Sequence, residues 1–218
     1  MFPIAVIVRG SHVFGELEGD DVDLFIPYVA STAQTFKGAI VDPKPLKEGA
    51  LDLEVMEIGT IVRSLASGDS KVLLSLLSPG QISYTPWYLQ LKTILYSYLS
   101  TEFGESLLKY IDDLETSTER ADKYAYIARY INFGMGYFND QNLVIQPVTA
   151  PEGGFTKEWY EKAREGLVAA IEGAKSIEKE TEKGVKYKLY DHNTLVSNLV
   201  AWLMAVRSQV FKIEDGIL

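Results

Sequence analysis

The chain has 218 residues, 47% of them hydrophobic and 23% charged, which suits one large globular domain or two small ones packed together. It has no cysteine and two histidines, His12 and His192, which excludes disulfides, thiolate chemistry and Cys- or His-rich metal centres and leaves oxygen ligands for any metal. A formal charge of −9 argues against broad binding of duplex nucleic acid, where affinity comes from many Lys and Arg side chains neutralising phosphates.

The opening Met1-Phe2-Pro3-Ile4 lacks a basic leader, so no signal peptide is expected. No apolar run approaches the ~18 residues of a membrane span, so the expected setting is cytoplasmic with no membrane partner. Ile4 to Arg9 predicts a short buried strand that ends in Gly10-Ser11. The glycine-punctuated segment to Gly19 predicts a turn and a short helix. Asp21 to Ala30 predicts the next strand, interrupted by Pro27 near its exit. Alternate side chains of a strand share a face, so Asp21 and Asp23 present two carboxylates side by side while Val22 and Leu24 point into a core.

Mg²⁺ is usually held by one or two carboxylates together with substrate phosphates, which two aspartates on a rigid strand can supply. Gly10, without a Cβ, lets backbone N–H groups approach a phosphate, and the Ser11 hydroxyl adds a donor. Alone, Gly-Ser also reads as a turn and Asp-x-Asp as a solvated edge. In this order and spacing they describe a triphosphate-plus-metal site. A calcium loop is excluded, because the Asp/Asn, Gly and Glu that should follow Asp23 are missing.

Residues 31 to 50 carry Lys37, Gly38, Pro43, Pro45 and Gly49, the chemistry of a loop and a candidate lid. Leu51 to Ile58 alternates, with Leu51, Leu53 and Val55 on one face and Asp52, Glu54 and Met56 on the other. Either a third ligand carboxylate or a half-exposed strand with solvated acids follows from that pattern. From Ile58 the periodicity turns helical through Leu77, and Ser78-Pro79-Gly80 predicts a domain boundary. Beyond it, helices are expected over 87–100, 102–114, 119–138 and 155–176, and a last helix capped by Asp191 or Asn193. Tyr126, Tyr130, Phe133 and Tyr137 recur at helical spacing, as a core stripe or as a wall on which a base stacks. His192 beside the cap reads as structural, and the charged run 178–188 as a solvated turn.

Gly10-Ser11-His12-Val13-Phe14-Gly15 followed by Asp21-Val22-Asp23-Leu24 resembles the DNA polymerase β superfamily of nucleotidyltransferases. The branch it is most similar to is a predicted nucleotidyltransferase family linked to RNA repair. Leu51 to Ser70 resembles that branch's acidic strand and following helix, although Gly68-Asp69-Ser70 stands where the branch has Gly-Asn-Pro. Tyr124 to Gln146 bears a fainter likeness to its later helix.

The resemblance implies an α+β fold, with a mixed-sheet catalytic domain over 1–80 and a mostly helical domain over 81–218 that completes the cleft. It implies Mg²⁺ or Mn²⁺ held by Asp21, Asp23 and Asp52, with Asp52 preferred to Glu54 as the third carboxylate. Nucleotide binding falls to Gly10, Ser11 and His12, joined by Lys123 and Arg129 if these reach a phosphate and are not merely paired on the surface. The implied activity moves an NMP from an NTP to a hydroxyl, on an RNA or tRNA end or else on a protein or small molecule, and releases pyrophosphate. The alternative is a nucleotide-binding or regulatory module of the same fold without turnover.

Overall fold

The computed structural model describes residues 1–10, 22–38, 40, 42–117, 122–141, 143, 145, 148–182 and 190–216. The fold is mixed α+β, as expected, and among the described residues it comprises a six-stranded mixed sheet and eight α-helices. The strands are β1 (Phe2–Pro3), β2 (Ala5–Arg9), β3 (Val22–Val29), β4 (Leu46–Glu48), β5 (Leu51–Glu57) and β6 (Gln81–Tyr84). Their order is β4-β5-β3-β2-β6, with β1 continuing along β3 past the end of β2.

The central strand β3 runs antiparallel to β2 and parallel to β5, and both registers are continuous. Pro27 does not interrupt it. A proline cannot donate to a ladder, and Pro27 lies opposite Ile4, between β1 and β2, where its carbonyl accepts from the Ile4 N–H at 2.8 Å. The described residues of 31–50 carry more regular secondary structure than loop chemistry suggests. Ser31 and Gln34 form a capping box that starts α1 (Thr32–Phe36), and β4 joins β5 through a tight hairpin at Gly49-Ala50. Gly49 takes a φ of +59, which a primed two-residue turn requires.

Helices α2 (Ile58–Ala66) and α3 (Ser70–Leu77) follow β5 directly. Their starts are fixed by side chains: Glu57 accepts from the Gly59 N–H, and Asp69 accepts from the N–H groups of Lys71 and Val72. Both bury apolar stripes against the sheet face that carries Ala5, Ile7 and Phe25. Since Asp23 and Phe25 are two apart, the carboxylate side of β3 is the helix-covered side. The expectation that Val22 and Leu24 point into the core is therefore reversed, because Val22 is exposed and Leu24 half-buried.

Beyond residue 80 the chain adds β6 to the sheet before turning helical, so the strand past the expected boundary belongs with the first 80 residues. Then come α4 (Pro86–Ser97), α5 (Glu102–Ser117), α6 (Lys123–Met135), a π-helical turn (Gly136–Asp140), α7 (Lys157–Glu182) and α8 (His192–Glu214). Pro86 occupies the first turn of α4 and Asp191 caps α8 by accepting from Thr194 N–H, both as expected. By length and composition α8 could cross a bilayer, against the expectation from apolar runs. It packs on α2 and α4, burying Leu195, Leu199, Trp202, Val206 and Val210. One continuous core runs from Ile4, Ile7 and Phe25 through Tyr137 and Leu167 to Leu199.

Candidate functional site

The registers bring together charges that are far apart in sequence. Arg9 pairs with Asp23 across β2 and β3, Asp23 with Asp52 across β3 and β5, and Asp52 with Lys47 across β5 and β4. Partners in register share a face, so the four form one row across four strands, each about 4.8 Å from the next. The middle of that row is a pair of carboxylates, which repel when directly opposite. Arg9 offsets that repulsion. Its guanidinium reaches over β3 to within 3.9 Å of Asp52 Oδ1 and bonds the Glu54 carboxylate.

Gly10 closes the row at the end of β2. Its φ is +72, and a Cβ built there would stand 2.0 Å from Asp23 Oδ2. The Asp23 carboxylate lies where any other residue would put its Cβ, so a side chain there must displace it, and the positive φ favours glycine as well.

The row opens into a cleft of about 250 Å³, whose other walls come from α3, α5 and α6. Lys71, Leu74 and Ser75 line it from α3, and Tyr110, Tyr126 and Tyr130 from α5 and α6. The Lys71 ammonium lies 4.2 Å from the centre of the Tyr110 ring. The tyrosines form a cluster, with Tyr110 edge-on to Tyr130 at 4.9 Å and Tyr126 to Tyr130 at 5.4 Å. The Tyr130 hydroxyl donates to the Tyr126 hydroxyl at 3.0 Å. Burial pushes Tyr110 up to about 12 and Tyr130 higher still, so both remain protonated donors at neutral pH.

Of the expected site residues, Gly10, Asp23 and Asp52 meet at this cleft. Ser11, His12 and Asp21 lie outside the described residues. Glu54 stands opposite Phe25, one step further along the strand and engaged by Arg9. Lys123 and Arg129 are not in the cleft lining. The Lys123 ammonium donates to the Glu115 carbonyl at 2.8 Å and pairs with its carboxylate at 3.5 Å. Arg129 is buried with its guanidinium 5.2 Å from the Tyr126 ring, supporting that wall from α6.

The aromatic stripe divides. Phe133 and Tyr137 are core, while Tyr126 and Tyr130 also face the cleft. His192 Nδ1 lies 2.8 Å from the Ser100 hydroxyl, a structural tie at the start of α8.

Arg9 and Lys71 are the basic residues that sequence reading missed. Arg9 sits immediately before the Gly-Ser step, on the same strand face as buried Ile7. Lys71 follows the cap of α3, and nothing local distinguishes it from a solvated lysine. Among the described residues no group of three or more Asp, Glu and His side chains is arranged to hold a metal. These residues contribute the Asp23–Asp52 pair, two hard oxygen donors side by side, which fits an ion that completes its shell with water and phosphate. Comparison with models of known protein families, with curated proteins and with solved structures finds no match.

Proposed function

We propose that this chain is a Mg²⁺-dependent nucleotidyltransferase that moves an NMP from an NTP to a hydroxyl acceptor. The observation that carries the reading is the Asp23–Asp52 register at the mouth of the cleft, with Gly10 packed against the Asp23 carboxylate. The resemblance of the Gly10-Ser11 and Asp21-Val22-Asp23 motifs to the polymerase β superfamily points the same way. Asp23 and Asp52 would hold the metal, joined by Asp21 as that motif implies. Bound there, Mg²⁺ or Mn²⁺ would stabilise negative charge developing on the phosphoryl oxygens.

The chain's own groups serve the rest of the transfer. Backbone N–H groups around Gly10 and the cations Arg9 and Lys71 attract the triphosphate into a protein that is acidic overall. The tyrosine cluster offers ring faces and protonated hydroxyls to the base or ribose. Asp52 accepts the proton of the acceptor hydroxyl as its oxygen bonds the α-phosphorus, and the bond to pyrophosphate breaks. An RNA or tRNA end is the acceptor that the resemblance favours, in a cytoplasmic setting.

The test is incubation with each α-labelled NTP and Mg²⁺ or Mn²⁺ in the presence of pooled RNA, protein or small hydroxyl compounds. Covalent label in one fraction, lost in Asp23→Asn, is the expected result. Nucleotide binding without label in any fraction assigns the chain to a binding or regulatory module instead.

A further inference from the structure

We infer that Arg9 is the resident counter-cation of the carboxylate pair, and that it gives up Asp52 and turns to the phosphates when metal and nucleotide enter together. The inference rests on the nucleotidyltransferase reading of the cleft. Three carboxylates, those of Asp23, Asp52 and Glu54, stand on one face of two adjacent strands. Arg9 is in register with Asp23, yet its guanidinium extends past that neighbour to β5. There it lies 3.9 Å from Asp52 Oδ1 and bonds Glu54.

Glu54 is placed to hold the arginine in the cleft and not to hold the metal. Its register partner is Phe25, which is fully buried, whereas the partner of Asp52 is Asp23. An ion held by Asp23 and Asp52 would put two positive charges where the guanidinium now supplies one. Cations a few ångströms apart repel strongly in a partly buried site, so ion and arginine compete for Asp52. The guanidinium stays part-exposed on the cleft wall, and its planar fork of donors matches phosphate oxygens. Arg9 therefore weakens binding of the bare ion and strengthens binding of the ion–triphosphate complex. The cleft loads metal with nucleotide and discriminates against metal alone.

The experiment is a titration with Mn²⁺ read by electron paramagnetic resonance, with and without a non-hydrolysable NTP. It compares the wild-type chain with Arg9→Gln, Arg9→Lys and Asp23→Asn. Arg9→Gln should bind Mn²⁺ alone about tenfold more tightly and the nucleotide in the presence of Mn²⁺ about tenfold more weakly, opposite shifts from one substitution. Arg9→Lys keeps the charge and should return Mn²⁺ affinity toward the wild-type value. If Mn²⁺ binding is lost in Asp23→Asn while Arg9→Gln leaves Mn²⁺ affinity unchanged or weaker, the carboxylate site stands and the role given to Arg9 is wrong. If the wild-type chain binds no Mn²⁺, or binds it equally well as Asp23→Asn, the nucleotidyltransferase reading falls and this inference with it.

Discussion

Gly10 and Asp23 are packed so closely that a methyl group on the glycine would stand 2.0 Å from the Asp23 carboxylate oxygen Oδ2. That contact ties the end of β2 to the central strand at the point where the carboxylate row begins.

Gly10→Ala meets two obstacles, the positive φ and the collision, whereas Gly49→Ala meets only the first, since Gly49 has a φ of +59 and open space around it. Both variants should lose about 1–2 kcal/mol from the left-handed backbone. Gly10→Ala alone should also lose metal-dependent nucleotide binding, because relief of the collision turns the Asp23 carboxylate away from Asp52. Thermal melts beside calorimetry with Mg²⁺ and a non-hydrolysable NTP separate the two effects. Equal nucleotide binding by both variants would show that the Gly10–Asp23 contact has no part in the site.

Nucleotide binding should itself depend on divalent metal. Without the ion, Asp23 and Asp52 face the triphosphate at close range with the same sign of charge, and Arg9 is shared with Glu54. Calorimetry with Mg²⁺ and with chelator should show at least a tenfold difference in Kd, about 1.4 kcal/mol. Equal affinity in the two conditions contradicts the site.

The helical part has its own pH-sensitive tie. Arg164 donates two hydrogen bonds of 2.6 Å to Asp112, joining α7 to α5. Those bonds hold the Asp112 carboxyl below its ordinary value of 3.8. A depressed aspartate stabilises the fold above its unfolded pKa and loses that contribution as pH falls through the folded value. Asp112→Asn should therefore be less stable than wild type at neutral pH, and the gap should narrow progressively as pH falls below about 4. Urea melts at pH 3, 5 and 7 show whether it does.

Glu57 and Arg207 make a second long-range tie, between the end of β5 and α8. Glu57 is 1% exposed and accepts from Arg207 Nη2 at 3.0 Å through both carboxylate oxygens. Arg207→Met leaves a buried carboxylate that, among the described residues, keeps just the Gly59 N–H, and should cost about 3–5 kcal/mol. The double variant with Glu57→Gln should recover part of that loss. Denaturant melts of the single and double variants measure the recovery, and none at all would mean that Arg207 contributes by packing alone.

What was legible in the sequence follows from how local each signal is. The strand over Leu51–Glu57, the first-turn Pro86 and the cap at Asp191 depend on near neighbours, and they appear where periodicity and side-chain chemistry place them. The pairing of Asp23 with Asp52 joins positions 29 residues apart through a parallel ladder, and no local pattern encodes it. Which face of β3 meets the helices is the reverse of the expectation, because Val22 and Leu24 are as apolar as Phe25 and the packing of helices distant in sequence decides the matter. Arg9 and Lys71 were missed for the same reason. Their roles arise when the strand order sets β2 beside β3 and α3 over the row.

The third carboxylate gives the sharpest test of the proposed chemistry. Asp52 and Glu54 are two apart on β5, roughly 6.5–7 Å along it, so only one can share an ion closely with Asp23. Register assigns Asp52 to Asp23 and Glu54 to Phe25, and Arg9 bonds Glu54 while lying 3.9 Å from Asp52. Asp52→Asn should abolish transfer while sparing much of the Mg²⁺–NTP binding, because an amide cannot take the acceptor's proton and is a poorer ligand to an ion. Glu54→Gln should keep a measurable rate, with the loss appearing mainly as a raised KM, since it loosens Arg9 and leaves the Asp23–Asp52 pair intact. Single-turnover transfer from an α-labelled NTP, measured beside equilibrium binding, separates these outcomes. Full transfer by Asp52→Asn with none by Glu54→Gln would move the role to Glu54, and full transfer by both would remove carboxylates of β5 from the mechanism.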